Sequence, residues 1–183
     1  VNPSNDKASG HCSPAETVTM AVRAKKLGMR IMIDFHYSDS WADPGKQTKP
    51  AAWVNHTFLE LQNDVYNHTF EVLNLLKAAG VTPEWVQVGN EIPGGMLWPD
   101  GKSSNFGQLA QLLNKGYDAV KAVNTKIKVI VHVDEGNNNA KFRWFFDNAK
   151  ANAVKYDVIG LSYYPFWIKK DYTETIADLA NNL

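Results

Sequence analysis

Val86-Gln-Val-Gly-Asn-Glu-Ile-Pro93 reads as a short apolar strand that delivers an Asn-Glu pair, Asn90 and Glu91, into a loop rich in Pro and Gly. Side chains alternate along a strand, so Gln87, Gly89 and Glu91 are expected on one face and Val86, Val88 and Asn90 on the other. The glycine beside Glu91 leaves room for something to approach the carboxyl. A lone Glu at a loop entry is ordinarily a solvated surface group. Here, however, two further apolar segments end in acids, Ile31-Met-Ile-Asp34-Phe-His36 and Val129-Ile-Val-His132-Val-Asp134-Glu135. A fourth, Val158-Ile-Gly-Leu-Ser162-Tyr163-Tyr164, ends in hydroxyls. Four strand ends with the same polar character favour a shared site.

Outward from this strand, the chain alternates the two hydrophobic periods. Residues 14–28 have helical spacing and close on Lys25-Lys26-Leu27-Gly28, cations in the last turn with a glycine after them. A strand is predicted over 29–35, apolar on both faces as in buried parallel sheet. A long loop covers 37–53, and a helix covers 58–79 with Phe58, Leu61, Val65, Phe70, Leu73 and Leu76 on one side, stopped by Gly80. Strand 84–89, loop 92–107, helix 106–124, strand 128–133, helix 140–152, strand 157–163 and helix 173–183 complete the series. Strict alternation without hairpin signals indicates parallel βα units in a single domain, 1–183.

Such alternation fits either a (β/α)8 barrel or a doubly wound open sheet. No strand is followed by a glycine-rich phosphate loop, so the nucleotide-binding sheet lacks its main signature. Polar and aromatic residues gather instead after each strand, where a barrel builds its site. A complete barrel takes about 250 residues, so 183 residues with four strands are read as roughly half of one.

Composition narrows the partners. Nineteen basic and nineteen acidic residues give no net charge and no run of either sign, unlike a nucleic-acid or anionic-membrane surface. No apolar stretch approaches about 18 residues. Cys12 is the single cysteine, which rules out an intrachain disulfide and a cysteine-built zinc site within these residues. The chain opens without methionine or a recognisable leader, which says nothing of a longer parent. Asn55-His-Thr57 and Asn67-His-Thr69 match the N-glycosylation pattern, a match common by chance. A neutral, polar partner such as a carbohydrate suits a chain with six Trp, seven Tyr and eight Phe.

The segment from Asp34 to Trp53, D-F-H-Y-S-D-S-W-A-D-P-G-K-Q-T-K-P-A-A-W, followed by Gly89-Asn-Glu-Ile92, closely resembles glycoside hydrolase family 53. His132-Val-Asp-Glu-Gly136 and Gly160-Leu-Ser-Tyr-Tyr-Pro165 extend the resemblance over most of the chain. The first segment is long and specific; Asn-Glu after a strand is shared by a wider clan of barrel glycosidases. The resemblance implies a (β/α)8 (TIM) barrel, of which this chain covers roughly strands three to six. It also implies endo-hydrolysis of β-1,4-galactan in pectic arabinogalactan, no cofactor, no catalytic metal, a monomeric full-length enzyme, and a secreted or cell-envelope location. A retaining mechanism uses two carboxyls about 5 to 5.5 Å apart. Glu91 matches the family's acid/base, with Asn90 beside it for the sugar 2-hydroxyl. The nucleophile is expected at strand seven, outside this chain. Glu135 is not taken in its place, because alternation sets Asp134 with His132 and leaves Glu135 on the opposite face. Alternative readings are a non-catalytic carbohydrate-binding piece, or a related barrel glycosidase acting on β-mannan or cellulose.

Around Glu91 the expected substrate-binding residues are Asp34, His36, Trp41, Asn90, Trp98, His132, Asp134, Tyr163 and Tyr164. Trp41 and Trp98 sit in loops after strands and are read as stacking platforms, whereas Trp85 and Trp144 are read as core. For Trp53, Phe166 and Trp167, core packing and stacking stand level. His36 and His132 with Asp34 and Asp134 resemble a metal set only in residue type. No His-x-His or His-Glu-x-x-His spacing supports one, so orienting hydrogen bonds are expected of them. His11, His56 and His68 are read as surface residues.

Overall fold

A computed structural model describes residues 1, 11–168 and 170–182. Nine regular elements alternate in it. They are α1 (Pro14–Lys26), β1 (Met32–Phe35), α2 (Phe58–Ala78), β2 (Trp85–Val88), α3 (Phe106–Val123), β3 (Lys128–Val133), α4 (Asn139–Ala151), β4 (Val158–Leu161) and α5 (Tyr172–Ala180). Each predicted element is present. β1 and β4 are shorter than their apolar runs, and the predicted end of the last helix, 183, lies outside the described residues.

Local chemistry sets the helix starts. Ser13 and Thr57 each cap a helix, accepting from the backbone N–H of Glu16 and Glu60, whose carboxylates bond back to the cap. Arg23, Lys25 and Lys26 sit in the last turn of α1, where the helix dipole favours cations.

The four strands are all parallel and lie in sequence order, β1-β2-β3-β4. Every crossover therefore steps the same way. A doubly wound sheet reverses direction at a switch point, and this one does not, which decides between the two architectures in favour of a barrel segment. The register runs Ile33↔Val86↔Val129 on one face and Asp34↔Gln87↔Ile130↔Val158 on the other. The first face is the core: Val86, Val88, Val129, Val131 and Val133 are buried with Leu61, Leu73 and Leu76 of α2, Leu109 and Leu113 of α3, and Phe145 of α4. The second face carries Asp34, Gln87 and His132, and the site grows from it.

Three aromatic or imidazole assignments are corrected by the packing. Trp144 is 47% exposed. The buried stripe of α4 is Phe142, Phe145 and Ala149, and Trp144 falls beside it, touching Phe106 and Phe145 only by its ring. Trp85 is half-buried, not core, with the Arg30 guanidinium 4.2 Å over its ring. His68 is not a surface residue: it is tucked edge-on against Phe35, Tyr37 and Trp53, and burial pushes its pKa down to about 4. Trp53 is core. His11 is exposed, and His56 is half-buried with its ring on Asp64 at 2.6 Å.

Candidate active site

β2 ends at Val88, and the next three residues turn its chemistry inward. Gly89 lies at φ +85° and Glu91 at φ +45°, both in the left-handed region. Strand alternation therefore stops at Gly89. Asn90, expected on the face of Val86 and Val88, is turned instead to the side of Gln87, whose amide donates to Asn90 Oδ1 at 3.3 Å. The face assignment for Asn90 is overturned, and the reason is the glycine.

A closed ring of hydrogen bonds surrounds Asn90. Gln87 Nε2 also donates to Asp34 Oδ1 at 2.7 Å, and Asn90 Nδ2 donates to the Ala42 carbonyl at 2.9 Å. The Ala42 N–H donates to His36 Nδ1 at 3.1 Å, and His36 Nε2 meets Asp34 Oδ2 at 3.0 Å. A backbone N–H can only donate, so His36 Nδ1 is the acceptor and its Nε2–H points at Asp34. Asp34, His36 and Asn90 are thus brought together and oriented.

His132 plays the matching part on the other side of Glu91. Its Nδ1 accepts the Glu91 N–H at 3.2 Å, which leaves Nε2–H for Ser162 Oγ at 2.9 Å. Burial holds the His132 pKa below its ordinary value, although Asp34, Glu91 and Asp134 pull the other way. The neutral ring is the form that can accept from Glu91, and desolvation favours it.

Beyond His132, β3 ends at Val133, before either acid. Lys141 of α4 reaches Asp134 at 3.1 Å and Glu135 at 2.8 Å, so the two do not lie on opposite faces as alternation suggested. Glu135 sits at φ +54°, where the strand pattern no longer applies. Lys141 and Asn138 hold the Glu135 carboxyl below the usual range. Burial pulls the Lys141 ammonium down, but its bonds to Glu135 and Asp134 outweigh that and raise it.

A cleft of about 730 Å³ opens here, lined by Glu91, Asp134, Glu135, Ser162, Tyr164 and Trp167 among others. A second hollow of about 310 Å³ holds Asp34, His36 and Trp41. Trp41 is 54% exposed, its ring edge-on to His36 with centroids 4.8 Å apart. Trp98 lies within its own loop, its indole N–H on the Gly94 carbonyl at 2.9 Å and the Lys102 ammonium 5.3 Å over the ring. Tyr163 does not line either hollow; its hydroxyl is buried without a hydrogen-bond partner among the described residues. Phe166 and Trp167, left open between core and platform, are 84% and 76% exposed. No group of three or more His, Cys, Asp or Glu among the described residues could hold a metal ion. No helix among them is long and apolar enough to cross a membrane.

Four participants escaped the sequence reading as site residues. Gln87 was signalled by a polar residue inside a valine strand, and Ser162 by the hydroxyls after β4. Gln47, whose side-chain amide donates to the Asn90 carbonyl at 2.9 Å, lies in the quoted Asp34–Trp53 segment without a signal of its role, and Lys141 carries no local signal, since the partners of both are set by the fold.

Comparison with known proteins places this geometry. A model of glycosyl hydrolase family 53 matches residues 1–183. An uncharacterized protein of Niallia circulans is 45% identical over 171 residues, 89% of this chain and 47% of its own length. An arabinogalactan endo-β-1,4-galactanase of Thermothelomyces thermophilus is 36% identical over 173 residues, 91% of this chain and 51% of its own. The solved catalytic domain of a family 53 glycoside hydrolase from Ignisphaera aggregans superposes with a TM-score of 0.90 at 38% identity, covering 99% of this chain and 49% of that one. The chain spans about half the length of the curated relatives it matches.

Proposed function

Because the chain belongs to glycosyl hydrolase family 53, we propose that the protein cleaves β-1,4-galactosidic bonds within arabinogalactan, with Glu91 as general acid/base. Relatives named as arabinogalactan endo-β-1,4-galactanases support the substrate. The observation that carries the role is the placement of Glu91 at the end of β2, on the cleft, in a left-handed backbone held by His132.

The steps follow from retaining chemistry. The Glu91 carboxyl gives its proton to the glycosidic oxygen as the bond from C1 to that oxygen breaks, while a second carboxylate attacks C1. That nucleophile comes from outside residues 1–183, in the same single (β/α)8 domain. Glu91, now a carboxylate, takes a proton from water as the water oxygen attacks C1 and releases the nucleophile. Asn90, oriented by Gln87 and Ala42, offers its amide to the sugar 2-hydroxyl. Asp34, His36, His132 and Asp134 supply polar contacts, and Trp41, Tyr164 and Trp167 offer apolar faces to the sugar. Trp98, packed into its own loop, and Tyr163, whose hydroxyl is buried, stand at the margin of this set. Hydrolysis of a plant polysaccharide fits a secreted or envelope-bound enzyme working without cofactor or metal.

The test is reducing-end release from β-1,4-galactan by the intact protein and its Glu91→Gln variant, with β-mannan as control. General acid/base catalysis is worth about 10²–10⁴-fold, and a loss of that size on galactan is expected. Unchanged activity in the variant, or cleavage of mannan in place of galactan, would refute the proposal.

A further inference from the structure

The left-handed backbone at Glu91 costs about 1–3 kcal/mol for a residue that is not glycine, and persists only where its surroundings over-determine it. The peptide between Asn90 and Glu91 is gripped at both ends. His132 Nδ1 takes its N–H at 3.2 Å, and the side-chain amide of Gln47 takes its carbonyl, Asn90 O, at 2.9 Å. Gln47 Nε2 also reaches Asp43 O at 3.0 Å and Glu91 O at 3.4 Å. An amide nitrogen has two hydrogens, so the Glu91 carbonyl receives only a shared bond. Gln47 is 4% exposed, and separately its main-chain carbonyl accepts the Trp98 backbone N–H at 2.8 Å. One buried polar side chain thus ties the loop after β1 and the loop after β2 to the residues that carry Glu91.

We propose that Gln47 is a positioning residue for Glu91, fixing with His132 the one peptide plane whose orientation aims the Glu91 carboxyl into the cleft. The inference rests on Glu91 being the acid/base. Its consequence is selective: losing the grip should impair proton delivery to the leaving oxygen and leave binding largely intact. A misplacement of about 1 Å can cost about 10²-fold in rate.

The experiment compares kcat/KM on β-1,4-galactan, whose leaving group needs a proton, with kcat/KM on a dinitrophenyl β-1,4-galactobioside, whose leaving group does not. Gln47→Met in the intact protein keeps length and removes the donor. We expect kcat/KM on galactan to fall about 10- to 100-fold, through kcat more than KM, and kcat/KM on the dinitrophenyl substrate to change less than about threefold. Should Gln47→Met melt below the assay temperature, Gln47→Asn keeps the amide one methylene short, and the same split is expected at smaller size. An equal fall on both substrates, or none on either, would overturn the role of Gln47. Glu91→Ala run in parallel separates the two claims. If it shows the split and Gln47→Met does not, only the positioning role fails; if Glu91→Ala shows no split, the acid/base assignment fails and the positioning role with it.

Discussion

The ends of β2 and β4 face the same cleft and are built in opposite ways. After β2 the chain is clamped. Ile92, Met96 and Leu97 are buried, and Gly89, Glu91, Gly95 and Leu97 all take positive φ. Lys49, half-buried with its side chain 8% exposed, pairs with Asp100 at 2.5 Å to tie in the neighbouring loop. After β4 the chain is open. Tyr164, Phe166, Trp167 and Tyr172 are all exposed, and the turn is held by backbone bonds from Trp167 to Tyr164 and from Ile168 to Pro165. Strained backbone survives where packing and hydrogen bonds leave it no alternative. The clamped end suits a group that must be aimed to a fraction of an ångström, and the open aromatic end suits loose contact with a polymer.

Substitutions at the clamped end should therefore cost most. Gly95 lies at φ +89°, and a Cβ there would stand 2.0 Å from the Gly101 carbonyl oxygen and 2.7 Å from the Ser103 nitrogen. Both are backbone atoms that cannot swing away. Gly95→Ala is expected to lose about 3 kcal/mol or more in denaturant unfolding, and a loss below about 1 kcal/mol would mean the loop is not clamped.

Acid should loosen the neighbouring end of β1 and the loop after it. His68 packs under Phe35, Tyr37 and Trp53, with a folded pKa of about 4 against an ordinary 6.5. Between those values the unfolded chain binds the proton and the folded one does not. Stability is then lost as pH falls through 6.5 towards 4, by up to about 3 kcal/mol, and nothing is lost above 6.5. His68→Gln should flatten this part of the stability profile. Parallel profiles for the two proteins would show that His68 is not desolvated.

The open end should respond least. Trp167→Ala removes a side chain that lines the cleft with 76% of its surface exposed, so stability should stay within about 0.5 kcal/mol. KM for galactan should rise a few-fold with kcat unchanged, as for a contact made equally in ground and transition states. A large loss of stability would erase the contrast between the two ends.

Much of this is legible in the sequence because the signals are local. The 3.6 period marks the helices, short apolar runs between them mark the strands, and an acid closing such a run marks Glu91. What was hidden depends on contacts between distant residues or on a single dihedral. The side taken by Asn90 turns on the φ of Gly89. Asp134 and Glu135 share Lys141 because β3 ends at Val133, before either of them. Gln47 finds Asn90 across 43 residues of chain. Trp144 and His68 show that a composition-based guess about burial fails unless the helix stripe is drawn first: one lies off the stripe of α4, the other beside the stripe of α2.

The most direct test of Glu91 as acid/base is chemical rescue of Glu91→Ala by azide, on a dinitrophenyl β-1,4-galactobioside in the intact protein. With the acid/base gone, the glycosyl-enzyme forms and waits for a nucleophile that needs no deprotonation. Azide attacks C1, displaces the enzyme carboxylate, and should restore turnover with the β-galactobiosyl azide as product. No rescue, or the α-azide that an enzyme lacking its nucleophile would yield, would contradict the assignment.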